Sequence, residues 1–262
     1  MMKRTTFLFI FAFIATSVFA QDITSKKGEP YLPEAGDWAI SIDGNSFLKY
    51  AGNFIGGNGQ NDAPRFDFLS NNQTIIGKYF TSHNTAYRFG ACLGFGTGSI
   101  PSTNPITHVD DVKKFSNTNI GLTLGKEWRK GKTRLQGFYG AEAGVALSSA
   151  SVKNEYGNPL SAINPTRETE NKVGLTFKLG VRGFVGAEYF IFPKIALGGE
   201  FGWGLAFSSR GKGSRTTENW TGTSFINTQE TKTGRSSSFT ASTDQLNSIF
   251  GSAGTIRLTL HF

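Results

Sequence analysis

The sequence predicts an all-β chain, an eight-stranded antiparallel up-and-down transmembrane β-barrel, on three observations. Eight stretches alternate apolar and polar residues with period two, the links between them alternate short and long, and the last stretch closes on Phe262. After residue 20 every apolar stretch is interrupted within a few residues by Gly, Lys, Arg or Glu, so any membrane segments must be strands. Only a closed barrel satisfies all strand backbone groups in lipid.

The first strand, about 37 to 49, puts Trp38, Ile40 and Ile42 on one face and Ala39, Ser41 and Asp43 on the other. The second, about 73 to 81, has apolar residues on both faces through Ile75-Ile76 and Tyr79-Phe80, and is the least clear. The third, 86 to 97, is clean: Tyr87, Phe89, Ala91, Leu93 and Phe95 alternate with Arg88, Gly90, Cys92, Gly94 and Gly96. In the fourth, about 118 to 128, Ile120, Leu122, Leu124 and Trp128 oppose Gly121, Thr123, Gly125 and Glu127. The fifth, about 134 to 147, sets Leu135, Tyr139, Ala141, Ala143, Val145 and Leu147 against Arg134, Gln136, Phe138, Gly140 and Glu142.

The sixth and seventh, about 172 to 190 and 195 to 208, form a hairpin around Phe192-Pro193-Lys194. Val173, Leu175, Phe177, Leu179, Val181, Val185 and Tyr189 share one face, as do Ile195, Leu197, Phe201, Trp203, Leu205 and Phe207; Lys178, Arg182, Glu188 and Glu200 lie opposite. The eighth carries Ile256, Leu258, Leu260 and Phe262 against Thr255, Arg257, Thr259 and His261.

The links run long (about 50 to 72), short (82 to 85), long (98 to 117), short (129 to 133), long (148 to 171), short (191 to 194) and long (209 to 246). Outer-membrane barrels have short periplasmic turns and long outer loops, so both chain ends are expected on the periplasmic side. Trp38, Tyr87, Trp128, Tyr189, Phe192 and Phe262 all fall near that end, as an interfacial aromatic girdle.

The N-terminus has the pattern of a secretory signal peptide: basic Lys3 and Arg4, an apolar run Thr5 to Val18, and Val18-Phe19-Ala20 as a small-residue cleavage site. That run is short of the roughly 20 residues a membrane helix needs. The expected organisation is a signal peptide over 1–20, cleaved after Ala20, a periplasmic segment over 21–36 and a barrel over 37–262 of a Gram-negative outer membrane. The single cysteine, Cys92, offers neither a lipidation site nor an internal disulfide. Glycine stands at 33 of 262 residues, nearly twice the share of about 7% in soluble domains, as crowding of inward side chains in a small barrel requires.

The net charge is +8; without Lys3 and Arg4, 25 basic residues face 19 acidic ones, leaving +6. Because the bases are scattered rather than gathered on one face, no nucleic-acid partner is expected.

Assigning the polar faces to the lumen gathers Asp43, Glu127, Glu142, Glu188 and Glu200 with Arg88, Arg134, Lys178, Arg182 and Arg257. Eight strands enclose a space that side chains fill, so these charges should pair and close it. The alternative is a narrow gated conduit controlled by the same pairs.

No catalytic, cofactor or metal site is expected. The histidines are His83, in a turn, His108, in an outer loop, and His261, beside the chain end. Only His108, followed by Asp110 and Asp111, has the form of a base with an orienting carboxylate, or of two oxygen ligands for a divalent cation; a solvated loop with chance acids explains it as well. Gly94 to Gly98 and Gly198 to Gly202 lack the strand-then-helix setting of a phosphate loop. Asn219-Trp220-Thr221 has the spacing of a glycosylation acceptor by coincidence. The link 209 to 246 is rich in Ser, Thr and Gly. It carries Arg210, Lys212, Arg215, Lys232 and Arg235 against Glu218, Glu230 and Asp244, together with Trp220, Phe225 and Phe239. It reads either as a contact for lipopolysaccharide or a protein partner or as a solvated cap.

The stretch Leu32-Pro33-Glu34-Ala35-Gly36-Asp37-Trp38, the Lys78-Tyr79-Phe80 to Ala86-Tyr87-Arg88 hairpin, the Glu188-Tyr189-Phe190 to Pro193-Lys194 hairpin and terminal Phe262 resemble the small outer-membrane β-barrel family of Bacteroidetes, and more distantly the OmpX and OmpA-barrel type. The resemblance covers essentially the whole mature chain and is architectural. It implies a C-terminal strand (Ile256, Leu258, Leu260, Phe262) presented to the barrel-assembly machinery, surrounding outer-membrane lipids and lipopolysaccharide, and, unlike OmpA, no peptidoglycan-binding domain after Phe262.

The expected function is a non-enzymatic barrel, structural or binding and adhesive through its outer loops. The alternatives are a porin-like gated pore for small or apolar solutes and a lipid-modifying enzyme using His108. A lipocalin-like soluble barrel would turn its apolar faces inward, which the charges opposite them disfavour.

Overall fold

A computed structural model describes residues 24–44, 73–162, 165–222, 226–242 and 247–262. The expected signal peptide and its cleavage point, residues 45–49 of the first strand, the link 50–72, and Phe225 and Asp244 lie outside the described residues.

The described chain is all-β and antiparallel. Its strands are β1 (Trp38–Asp43), β2 (Gln73–Ser82), β3 (Thr85–Thr103), β4 (Asp110–Lys130), β5 (Leu135–Glu155), β6 (Thr166–Phe192), β7 (Ile195–Arg210), β8 (Ser214–Trp220), β9 (Ile226–Lys232), β10 (Ser236–Ser242) and β11 (Gly254–His261), with one helical turn, α1 (Asn247–Phe250), between the last two. Eight of them close into a ring: β1 to β7 pair in sequence, β7 pairs with β11, and β11 pairs with β1 from Ala39↔His261 to Asp43↔Arg257. The remaining three are additions to it.

Short links gather at one end of the ring, called here the turn end. There Pro193 and Lys194 alone join β6 to β7, Lys194 taking a positive φ of 64°. Proline fixes the first turn position and the left-handed residue the second, the pattern of a type II turn. The N-terminal segment lies at this end: Gly36 N–H donates to Phe80 O at 2.8 Å, and Trp38 N–H to Phe262 O at 2.9 Å.

At the opposite end the strands outrun their expected limits. β3 and β4 remain paired to Thr103↔Asp110, and β4 and β5 to Val112↔Glu155, so most of the expected loops 98 to 117 and 148 to 171 are strand. Their sequence shows no period of two because both faces meet water there. Backbone pairing, helped by Ser, Thr and Val, suffices to carry the strands on.

The link 209 to 246 is a further correction. β8 pairs with the far half of β6, and β9 with β8. β10 pairs with β7 from Gly204 to Arg210, directly beyond the stretch of β7 (Ile195 to Phe201) that β11 occupies. α1, ahead of β11, lies inside the ring, where Ile249 and Phe250 are buried.

The ring is inverted in polarity relative to a water-soluble one. Leu124, Leu175 and Val185, on outward faces, are 58%, 59% and 57% exposed, while inward Lys78, Arg88 and Glu127 are at most 1% exposed. The same alternation runs around β2 to β7 and β11.

Candidate functional site

The enclosed interior is the place where this fold concentrates chemistry, and it is filled in three layers.

At the turn end the layer is aromatic. Phe80 and Phe190 are fully buried, and the His261 ring lies between them at 5.4 and 5.1 Å. Tyr31 of the N-terminal segment packs on Phe190 and Ala196, and the Arg134 guanidinium lies 3.8 Å over the Tyr31 ring.

The middle layer is ionic. Lys78 Nζ lies 3.1 Å from Glu127 and 2.8 Å from Glu188; Arg129 reaches the same two carboxylates at 3.1 and 2.6 Å. Gln136 accepts from Arg129 Nε at 3.2 Å, and Thr259 donates to Glu188 at 3.2 Å. Deeper along the ring, Arg182 meets Glu142 at 2.6 Å and Glu200 at 2.8 Å, while Arg88 meets Glu200 at 2.8 Å and Glu142 at 3.7 Å. Arg88 also lies 3.4 Å from Glu127, so the two halves form one network. Phe138 and Phe184 are intercalated: Lys78 sits 5.0 Å over the first ring and Arg88 3.9 Å over the second. Such charges survive burial only because each meets opposite charge at hydrogen-bond range.

The third layer is α1. Ile249 and Phe250 are buried against Ala146 and Ala206. Ser248 O accepts from Asn119 Nδ2 at 3.0 Å, and its hydroxyl accepts from Lys178 Nζ at 2.8 Å. The cradle exists because the wall facing it is glycine. A Cβ on Gly121 would stand 2.7 Å from Ser248 O, one on Gly144 2.7 Å from Ile249 Cγ2, and one on Gly180 3.1 Å from Phe250 Cε2. Gly251, at φ 78°, then returns the chain to the wall.

Of the ten charges expected in the interior, Arg88, Glu127, Glu142, Arg182, Glu188, Glu200 and Arg257 are brought together, Arg257 at the edge, 3.9 Å from Glu200. Asp43 lies opposite Arg257 in the β1–β11 register. Two are placed differently: Arg134 stacks on Tyr31 at the turn end, and Lys178 donates to the Ser248 hydroxyl of α1, neither forming an ion pair with a carboxylate among the described residues.

Lys78 and Arg129 escape a reading by alternation. Lys78 shares its inward face with Ile76 and Phe80, which blur the polar signal. Arg129 lies beyond the expected end of its strand, although the alternation from Glu127 carries it inward.

Outside the ring, Asp110 accepts from Thr103 Oγ1 at 2.5 Å and Asp111 from Gly157 N–H at 2.9 Å, so these carboxylates tie down the loop. Among the described residues no cluster of His, Cys, Asp and Glu has the geometry of a metal site. A comparison with protein-family models and with curated proteins finds no match.

Proposed function

We propose that the ring is a transmembrane β-barrel of the outer membrane, closed along its axis, with a structural and surface-binding role carried by the strands that project beyond it. The observation that carries this reading is the inverted polarity. Outward side chains such as Leu124, Val181 and Val185 are more than half exposed, and burying each is worth about 1.5–3 kcal/mol. A continuous apolar belt of this kind far exceeds the patches of a few hundred Å² that soluble monomers expose, whereas hydrocarbon covers it.

The height fits as well. Outward apolar residues on β5 run from Leu135 to Leu147, and at about 3.3 Å per residue with a tilt near 40° this rises about 30 Å, the thickness of a bilayer's hydrocarbon core. Beyond it β3 to β6, joined by β8 and β9, continue as a polar sheet offering backbone and hydroxyl groups to a partner or to lipopolysaccharide.

The three interior layers support a closed barrel over a gated pore. Fractionation of the envelope, followed by gel electrophoresis with and without boiling, tests the assignment. The expected result is a band in the outer-membrane fraction that shifts on heating; a soluble periplasmic protein with no shift overturns it.

A further inference from the structure

The outward face carries a cleft between β4 and β7. Cross-strand register sets Lys126, Ala141, Gly183 and Trp203 in one row across the four strands. Ala141 and Gly183 form a low floor, continued by Ala143 in the next row, between Leu124 on one flank and Trp203 on the other; the cleft measures about 810 Å³. The flanking Leu124 on β4 and Trp203 on β7 stand three strand spacings apart, about 14 Å, so a hydrocarbon chain fits over the floor between them.

Lys126 stands at one corner of this cleft, on the outward face. Its Nζ lies 5.9 Å over the Tyr87 ring and 5.5 Å over the Trp128 ring, and among the described residues it has no carboxylate partner. An ammonium on an apolar belt is costly unless an anion meets it, and its flexible stem lets it reach toward the headgroup level marked by Trp128 and Tyr139. A hydrocarbon cleft with an unneutralised cation at one corner is complementary to an acyl chain bearing a negative headgroup.

We propose that this cleft binds one anionic glycerophospholipid, its acyl chain lying over Ala141 and Gly183 and its phosphate against Lys126. The site rests on the membrane reading above. A zwitterionic lipid fits the cleft equally but brings its own amine, so Lys126 sets a preference for net negative charge.

The test uses the full chain in detergent, native mass spectrometry, and phosphatidylglycerol or phosphatidylcholine of matched chain length. One retained phosphatidylglycerol is expected, favoured about fivefold over phosphatidylcholine. Lys126→Gln is expected to abolish the preference. Ala141→Leu fills the cleft and is expected to lower retention of both lipids, whereas Gly77→Leu, on the same outward face but away from the cleft, leaves retention unchanged. Equal retention of the two lipids by the unmodified chain, no effect of Ala141→Leu, or a mass of two chains with the cleft covered by a second copy overturns the site. The heat-dependent gel shift is read on the same samples: its presence beside any of those outcomes sinks the lipid site alone, and its absence sinks the membrane reading beneath it.

Discussion

Arg88 Nη1 lies 2.8 Å from Glu200 Oε2, and the two residues belong to β3 and β7, which stand opposite each other in the ring of eight. This contact bridges the full width of the interior. Glu200 also holds Arg182 at 2.8 Å and faces Arg257 at 3.9 Å, so one carboxylate compensates three guanidinium groups. Glu200→Ala is expected to destabilise the folded protein by about 3–5 kcal/mol, the cost of stranding buried charge, read from urea unfolding in lipid vesicles. A change below about 1 kcal/mol would contradict the pairing.

Arg257 provides an internal comparison. Among the described residues its three guanidinium nitrogens have no hydrogen-bond partner, whereas Arg88 donates through Nη1 to Glu127 and Glu200. Arg257→Met is therefore expected to cost less than about 1 kcal/mol, and Arg88→Met about 3–5 kcal/mol. Equal losses in the same unfolding assay would show that the network does not distinguish them.

Phe250 fills the glycine-lined cradle of the third layer. Phe250→Ala should cost roughly 3–5 kcal/mol through the cavity it leaves. The ionic and aromatic layers remain in place, so conductance across planar bilayers is expected to stay at baseline for this variant as for the unmodified chain. Stable channel openings in either would place the closure elsewhere and favour a gated pore.

Asp37 and Lys194 form a salt bridge at the turn end, outside the strands. Burial works to raise the Asp37 pKa, but the Lys194 hydrogen bond, the Glu34 backbone N–H and the nearby positive charge outweigh it, and the carboxyl titrates below its ordinary value of 3.8. A folded-state pKa below the unfolded one adds stability above the unfolded value, and that stability is lost as pH falls through 3.8 and below. Asp37→Asn is expected to be less stable than the unmodified protein at neutral pH by roughly 0.2–1 kcal/mol, with the gap closing in acid. A gap that persists at pH 2 would assign the effect to something other than the charge.

The two ends of the ring should differ in accessibility. Ile106, in the link between β3 and β4, is 87% exposed, while Asn84 lies in the turn between β2 and β3 at the opposite end. In intact cells a membrane-impermeant maleimide is expected to label Ile106→Cys and to spare Asn84→Cys until the envelope is broken. Cys92, fully buried, should stay unlabelled in both backgrounds. Labelling of both sites in intact cells would contradict the assigned orientation.

Alternation in the sequence carried the ring because outward-facing and interior-facing residues differ in polarity and size, as Tyr87, Phe89 and Leu93 do against Arg88, Gly90 and Cys92. It failed where the apolar alternation stops, as at the Ser116↔Ser151 and Thr118↔Ser149 pairs, and where the inward face is not polar, as with Ile76 and Phe80. α1 had no local signal: Ile249-Phe250 is an isolated apolar pair just past the polar link 209 to 246, and its place is set by glycines at 121, 144 and 180 on three different strands. Such long-range complementarity is invisible to a period.

The inverted polarity is tested most directly by refolding. Urea-unfolded protein is diluted into buffer with or without lipid vesicles and followed by circular dichroism and by Trp fluorescence, since Trp38, Trp128 and Trp203 all face outward. The expected result is β structure, blue-shifted fluorescence and a heat-shifted gel band only when vesicles are present. A folded, soluble monomer in buffer alone would contradict the account.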